Sequence, residues 1–144
     1  MFRRILIPVD GTAGSEKAVP YAVGLAQALD AEVVICHVIN TPITPTAAEE
    51  ERAAARYATK VAERIRSAEV AIKTQVRRGD PPTEIKKAAV HWNADAIVMA
   101  TRGRQRVEKL VLGSVADAVV RDSHLPVLLV SSRQRLKRTS RRAA

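Results

Sequence analysis

Short apolar runs alternate with segments of helical periodicity along most of the chain, and this alternation constrains the fold more than any other feature. The runs that we predict as strands cover residues 3–10, 31–39, 69–79, 94–100 and 126–132. The segments between them repeat apolar residues every three or four positions, as amphipathic helices do. Strands that alternate with helices form a parallel sheet with helices on both faces. The sequence therefore predicts an α/β fold, a three-layer α/β/α sandwich around a five-stranded parallel sheet.

Capping residues and periodicity locate the helices more closely. Ser15 is the predicted N-cap of the first helix, and Ser114 with Asp117 is similar to a capping box at the start of the last one. The apolar side chains of residues 69–79 alternate, which is typical of an edge strand with one wetter face. The predicted inward face of the first helix consists of Ala18, Tyr21, Ala22, Leu25 and Leu29.

The length and composition fit a single folded domain with a charged tail. Of the 144 residues, 47% are apolar, which excludes a disordered chain, and only 3% are aromatic, so the core must consist of Ala, Val, Ile and Leu. We predict one domain over residues 1–132 and a disordered basic tail over residues 133–144. The net charge is +9, and the tail contributes six of these charges through Arg133, Arg135, Lys137, Arg138, Arg141 and Arg142.

The sequence also indicates a compartment. No apolar run approaches the roughly 20 residues of a membrane span, and the first apolar run ends in Pro-Val-Asp, as a strand does, rather than in a cleavage site. The single cysteine, Cys36, excludes an internal disulfide and is predicted to be a small buried hydrophobe. We therefore expect a cytoplasmic protein.

Two predicted strands end in residues that suit a ligand. The first ends at Asp10, followed by Gly11 and Thr12, and the fourth ends in Met-Ala-Thr-Arg-Gly at residues 99–103. Ligands of parallel sheets bind beyond the carboxyl ends of the strands, where the strand order reverses. If one ligand touches both ends, the first and fourth strands are neighbours, and the strand order 3-2-1-4-5 follows.

The stretch after the fourth strand offers a phosphate site. Gly103 and Gly113 permit a close backbone approach, and the start of the following helix presents N–H groups together with Ser114. The pattern G-x-x-x-x-G-K-[ST] does not occur, so this is not a P-loop. A plain alternative is that the glycines flank an ordinary loop, that Ser114 caps a helix and that Asp10 caps a turn. Positive charge near the loop comes from Arg102, Arg104 and Arg106.

These positions resemble the signature of the universal stress protein family. That signature is Gly, two residues, Gly, nine residues, then Gly with Ser or Thr; here Ala100 takes the first position, and Gly103 and Gly113-Ser114 follow at the same spacing. The segments ILIPVDGTAGSEKAV and GSVADAVVRDSHLPVLLV resemble the family as well. The resemblance thus covers nearly the whole chain except the tail.

The resemblance implies a Rossmann-like fold of the adenine nucleotide alpha hydrolase type, usually dimeric, that binds ATP, ADP or AMP. It implies that Asp10 and Val38 face the base and ribose, and that Pro8 and Met99 line the adenine side. Gly103, Gly113, Ser114 and Val115 would hold the phosphates, and Mg²⁺ would be held by Asp10 or by the phosphates alone. The full set of implied nucleotide-binding residues is Pro8, Val9, Asp10, Gly11, Thr12, Val38, Met99, Ala100, Thr101, Arg102, Gly103, Arg104, Gly113, Ser114 and Val115.

The chain departs from the signature at two positions that bear on binding. Ala100 adds a methyl group where the family has glycine, and its cost depends on whether a positive φ is required there. Arg106 stands where relatives often have glycine. Another branch of the family lacks the glycine motif and does not bind ATP.

The sequence gives little support for catalysis. His37 lies near the proposed site, where it could act as an acid or base or be a structural histidine. His91 and His124 fall at helix ends, where a cation suits the helix dipole. No Ser-His-Asp or Cys-His grouping and no metal-ligand spacing occurs in the sequence. We expect no enzyme, or at most slow ATP hydrolysis.

Three functional hypotheses follow. The first is a nucleotide-binding regulatory protein of the stress response, a homodimer that pairs through its last strand from Pro126 to Val130. The second is a nucleotide-free dimeric interaction module of the same family. The third, less favoured, is contact of the basic tail with nucleic acid or a membrane.

Overall fold

The architecture follows the alternation of the sequence. The computed structural model describes residues 1–101 and 112–131. The strands are β1 (Arg4–Val9), β2 (Glu32–Ile39), β3 (Ile72–Arg78), β4 (Ala96–Thr101) and β5 (Val127–Ser131). The helices are α1 (Ala13–Glu16), α2 (Ala18–Leu29), α3 (Ala47–Arg64), α4 (Pro81–His91) and α5 (Ser114–Asp122), with a 3₁₀ turn at Arg66–Ala68. The predicted tail over 133–144 lies outside the described residues.

All five strands run parallel in one sheet of order β3-β2-β1-β4-β5, as predicted. The order reverses between β1 and β4, and residues 69–79 do contribute an edge strand, β3. None of the described helices is both long and apolar enough to cross a bilayer.

Two apolar layers hold the sheet between its helices. On one face, β1 and β2 contact α2 and α3 through side chains such as Ile7, Ile35 and Val61. On the other face, Leu6, Val34 and other strand residues contact α4 and α5. Cys36 belongs to this second layer and is fully buried, as predicted. Alternate residues of each strand therefore face opposite helical layers.

The inward face predicted for the first helix is wrong in part. Tyr21 is 45% exposed and Leu29 is 42% exposed. Apolar residues occur nearly all round this helix, so spacing alone did not select the buried side. Small side chains, which let the helix approach the sheet closely, form the buried face: Ala18, Val19, Ala22, Val23 and Ala26.

The two predicted serine caps are also corrected. Thr12, not Ser15, is the N-cap of α1 and accepts a hydrogen bond from the Ser15 N–H at 3.2 Å. Gly113 is the N-cap of α5, so Ser114 is already the first helical residue. By contrast, Asp80 caps α4 through the N–H of Thr83, with proline at the first helical position.

Candidate functional site

The site begins where β1 and β4 stop pairing. The β1–β4 register covers Ile5–Ala96 and Leu6–Ile97, whereas β1 remains paired with β2 as far as Val9. The Arg4 carbonyl accepts a hydrogen bond from Asp95 at the start of β4. Peptide groups alternate sides along a strand, so position 8 also faces β4.

Proline at position 8 accounts for the end of this pairing. Pro8 has no N–H, so the next hydrogen bond from β1 to β4 in this register has no donor. Pro8 itself is buried, and its strand, β1, lies between β2 and β4. The strand order reverses between β1 and β4, and parallel sheets bind their ligands beyond the carboxyl ends of the strands at such a point. We call this region, at the carboxyl ends of β1 and β4, the crevice.

The turn after β1 forms one side of this crevice. Asp10 Oδ1 accepts hydrogen bonds from the Thr12 N–H at 2.9 Å and from the Thr12 hydroxyl at 2.5 Å. The Asp10 N–H donates to the Ser15 hydroxyl at 3.1 Å. Gly11 has φ of +89°, a conformation that favours glycine. Asp10 therefore does cap a turn, and this turn holds its exposed carboxylate in place.

The end of β4 forms the floor. Met99 is 5% exposed and belongs to the α4–α5 layer, while Thr101 is 4% exposed and pairs with Ser131. Ala100 pairs with Val130, has a negative φ, and its methyl group packs against the layer formed by α2. Alanine in place of the signature glycine therefore fits inside a regular strand.

The start of α5 forms the other side. The helix begins at Ser114 after Gly113, whose φ is −60° and ψ 159°. The first turn of an α-helix has N–H groups without intrahelical partners, here those of Ser114, Val115 and Ala116. The sequence-predicted site residues Arg102, Gly103 and Arg104, and also Arg106, lie outside the described residues.

A histidine and a tyrosine lie beneath the Asp10 turn. His37, paired with Val9, places Nδ1 3.0 Å from the Val9 carbonyl oxygen. Its ring meets the Tyr57 ring edge-on, with centroids 5.0 Å apart. The Tyr57 hydroxyl donates to Glu16 at 3.0 Å. Burial and the bond to Glu16 raise the pKa of Tyr57 to about 12, so the phenol keeps its proton at neutral pH.

An ionic pair lies on the other face, next to Val38. Arg77 is the register partner of the half-buried Val38, and its guanidinium is 3.7 Å from Glu84 in α4. Burial, and more weakly the Glu84 carboxylate, raises the pKa of Cys36 to about 12 against the opposing effect of Arg77. The thiol is therefore protonated and is no nucleophile.

The loop after β2 is tied down by a second arginine. Arg78 Nη1 donates to the carbonyl oxygens of Thr41 and Pro42 and to Glu50 at 3.2 Å. The Thr44 hydroxyl donates to Glu50 at 2.9 Å. Sequence reasoning placed His37 near the site, but it missed this network and the contacts of His37 and Arg77, because the partners share no regular spacing.

Among the described residues, no group of three His, Cys, Asp or Glu side chains is arranged to hold a metal ion. A role for Asp10 in holding Mg²⁺ stays a prediction. The predicted nucleotide contacts of the other site residues likewise stay predictions, although the fold brings the ends of β1 and β4 together as expected.

Comparison with known proteins agrees with this geometry. A sequence model of the universal stress protein family matches residues 1–131. The chain belongs to this family. Universal stress protein MJ0531 of Methanocaldococcus jannaschii is 34% identical to the chain over 143 residues, which cover 90% of this chain and 82% of the relative.

Solved structures of universal stress proteins share the fold. One, a complex with cAMP, is 25% identical with a TM-score of 0.72, covering 92% of this chain and 98% of the other. Another, from Archaeoglobus fulgidus in complex with dAMP, is 20% identical with a TM-score of 0.69, covering 90% and 98%. The second likeness concerns the fold alone, and both agree with the predicted α/β class.

Proposed function

We propose that this universal stress protein binds adenine nucleotides, with ATP or AMP as the physiological ligand, and acts as a regulatory protein of the stress response in the cytoplasm. The observation that carries the proposal is the reversal of strand order between β1 and β4, where their register ends before Pro8 and the Asp10 turn follows β1.

The chemistry of the crevice suits the three parts of a nucleotide. Pro8 and Met99 are apolar, which suits contact with the flat face of a base. The Asp10 carboxylate is held at the surface, where ribose hydroxyls can donate to it. The N–H groups at the start of α5 and the helix dipole favour a phosphate there. This division of roles is the one that the family resemblance implies.

The structure bears on the departure at Ala100. Its methyl group packs into the core on the α2 side, and its backbone has an ordinary strand conformation. This removes one reason to expect the nucleotide-free branch of the family. The universal stress protein that was solved with cAMP, at 25% identity, further supports a nucleotide as the ligand.

Bound nucleotide would act by favouring one conformation or one partner surface over another. Mg²⁺ enters this proposal with ATP, held by Asp10 or by the phosphates. The proposal assigns no residue as the base for ATP hydrolysis, so any hydrolysis would be slow.

Calorimetric titration with ATP, AMP and cAMP, each with and without Mg²⁺, tests the proposal. The decisive variant is Gly113→Val, because a branched side chain at the N-cap of α5 blocks the approach of a phosphate to the helix N–H groups. Valine adopts the backbone conformation of Gly113 without strain, since φ is −60°. We expect affinity to fall by about 100-fold, or about 2.7 kcal/mol.

The matched control is Gly24→Ala in α2, where an added methyl group has nothing within 4 Å. It should bind as the wild type does. The proposal fails if the wild type binds none of the three nucleotides, and the role of the α5 N-terminus fails if Gly113→Val binds with unchanged affinity.

A second function, a dimeric interaction module, is favoured by the edge strand β5. This strand ends the sheet beside β4, and Leu128 is 45% exposed. An apolar edge strand invites pairing with a second copy of the chain. Sedimentation of the wild type and of Leu128→Lys, with and without ATP, tests it: we expect a dimer that the lysine dissociates, and a wild-type monomer at all concentrations would refute it.

A further inference from the structure

Four side chains beneath the Asp10 turn form a connected group that the proposed nucleotide contacts do not use. They come from β2, α1 and α3, and we call them the His37 cluster: His37, Tyr57, Glu16 and Arg64. Ring contact joins His37 to Tyr57, a hydrogen bond joins Tyr57 to Glu16, and an ion pair of 2.6 Å joins Glu16 to Arg64. The cluster thus connects the last residue of β1 to the C-terminal half of α3.

The cluster acts on one peptide group. A carbonyl oxygen can only accept, so the 3.0 Å contact with Val9 requires that His37 Nδ1 carries the hydrogen and donates it. The same Val9–Asp10 peptide group donates its N–H to the Ser15 hydroxyl at 3.1 Å. The C=O of the group is therefore held by the His37 ring in addition to the β1–β2 pairing at Val9, and its N–H is held by Ser15.

The orientation of this peptide group sets where the Asp10 side chain leaves the backbone. The hydrogen bonds within the turn join Asp10 to Thr12 across Gly11, which has a positive φ and rotates more freely than any other residue type. They hold the carboxylate relative to the turn, and the bonds to the Val9–Asp10 peptide group hold the turn relative to β1. A methyl group built on Gly11 would lie 3.8 Å from His37 Cε1, which is ordinary van der Waals contact. The imidazole ring therefore supports the turn without crowding it.

We infer that His37 is a positioning residue of the nucleotide site, which fixes the Val9–Asp10 peptide group and thereby holds the Asp10 carboxylate at the crevice. The inference rests on the proposed function, because a positioning role for His37 requires that a nucleotide binds at Asp10. His37 touches no ligand in this account. Its Nδ1–H is the operative group, and Tyr57 keeps the ring in the orientation that aims this hydrogen at Val9.

Three substitutions at His37 separate the N–H from the volume of the ring. His37→Asn places an amide N–H at the position of Nδ1, His37→Gln moves that amide one atom further out, and His37→Leu removes the donor. Each variant is titrated with ATP by calorimetry and compared with the wild type. His124→Leu is the matched control, because His124 is exposed in the turn before β5, at the opposite edge of the sheet.

We expect affinity for ATP to fall on the order of tenfold in His37→Leu and His37→Gln, the effect of one neutral hydrogen bond, and to stay within about threefold in His37→Asn. Amide hydrogen exchange without nucleotide should show faster exchange at Gly11 and Thr12 in the variants that lose the bond. A merely structural histidine would not give this pattern of rescue.

The outcomes separate the inference from the function beneath it. Faster exchange at Gly11 and Thr12 in His37→Leu, together with a wild type that binds no nucleotide, would refute the proposed function but leave the control of the turn intact. Nucleotide binding that is equal in the wild type and all three His37 variants would overturn the positioning role alone. Equal losses in His37→Asn and His37→Leu would also overturn it, since ring volume would then matter and the N–H would not. If His37→Leu does not fold, the affinities of His37→Asn and His37→Gln for ATP provide the same comparison of a retained and a displaced N–H.

Discussion

The same two strands, β1 and β4, behave differently at their two ends. At the amino ends, the Asp95 carboxylate accepts hydrogen bonds from the N–H groups of Arg3 at 2.7 Å and Arg4 at 3.0 Å. The Arg4 side chain also pairs with Glu32 of β2 and donates to the carbonyl oxygen of Trp92. At the carboxyl ends, pairing stops before Pro8, and separate turns and helix starts replace it.

The two ends of the strands therefore differ in what joins them: side-chain hydrogen bonds at the amino ends, and the proposed nucleotide site at the carboxyl ends. Side-chain hydrogen bonds from Asp95 join β1 to β4 at their amino ends. At the carboxyl ends the β1–β4 register stops at Leu6–Ile97, before Pro8, which has no N–H to donate. We therefore expect substitutions at the amino edge to change the free energy of unfolding, and substitutions at the crevice to change affinity.

The largest effect is expected for Asp95→Ala at the amino edge. This change leaves two backbone N–H groups without their charged acceptor, so the free energy of unfolding should fall by about 2–3 kcal/mol. Urea unfolding measures this loss. Asp122→Ala is the control, because Asp122 forms an exposed ion pair with Lys86 and its loss should cost less than about 0.5 kcal/mol. If both variants lose the same small free energy of unfolding, the Asp95 hydrogen bonds do not stabilise the amino ends of the strands more than an exposed ion pair does.

Gly79→Ala tests whether the chain is tightly packed at the carboxyl end of β3, away from the crevice. Gly79 follows β3, donates to the Ile39 carbonyl oxygen at 3.0 Å and has φ of +148°, and an added methyl group would lie 2.8 Å from Glu84 Cγ. We expect a loss of about 1–3 kcal/mol in the free energy of unfolding. Gly24→Ala, in the middle of α2, should instead gain about 0.5–1 kcal/mol. If Gly79→Ala leaves the free energy of unfolding unchanged, the carboxyl end of β3 is also loosely packed.

Pro8→Ala sharpens the comparison directly, because it restores an N–H that can donate to β4. We expect the new amide at position 8 to be protected from hydrogen exchange and the affinity for ATP to fall by about tenfold, or about 1.4 kcal/mol, as the crevice narrows. Exchange measured by NMR and calorimetric titration check the two parts. An unprotected amide at position 8 would show that something other than proline keeps the strands apart.

The smallest effect concerns pH and the loop after β2. Hydrogen bonds from Thr44 and then Thr41 lower the pKa of Glu50, with help from Arg78. A carboxyl group whose pKa is lower in the folded state stabilises the fold above its unfolded pKa, and this contribution is lost as pH falls through the folded value. Thr44→Val should therefore lower the melting temperature slightly at pH 7 and not at pH 3. A difference that persists at pH 3, or that survives in a Glu50→Gln background, would assign the effect to packing.

The sequence predicted what depends on local pattern. The five strands follow from their apolar runs, and the order 3-2-1-4-5 followed from two unusual strand ends, Asp10 and residues 99–103, that a shared ligand would bring together. Both predictions are confirmed. The buried side of α2 was not predictable, because small and large apolar residues alternate round that helix and only packing against the sheet distinguishes them.

Long-range partners were beyond sequence reasoning. Tyr57 and Glu16 are 41 residues apart, and Asp95 is 92 residues from Arg3, with no spacing that marks either pair. His37 was recognised as close to the site, but its hydrogen bond to Val9 depends on strand register. Contacts of this kind are fixed by tertiary packing, so residue type and order alone do not reveal them.

Trp92, the only tryptophan of the chain, gives the molecule a built-in optical reporter. Its indole N–H donates to Gln75 at 2.8 Å, and the Lys73 ammonium lies over the ring at 5.6 Å from the centroid, at the edge of the sheet opposite the crevice. Fluorescence from this indole should follow the separation of α4 from β3 and stay unchanged when a nucleotide enters. Unfolding and ligand binding can therefore be recorded by separate signals in one sample.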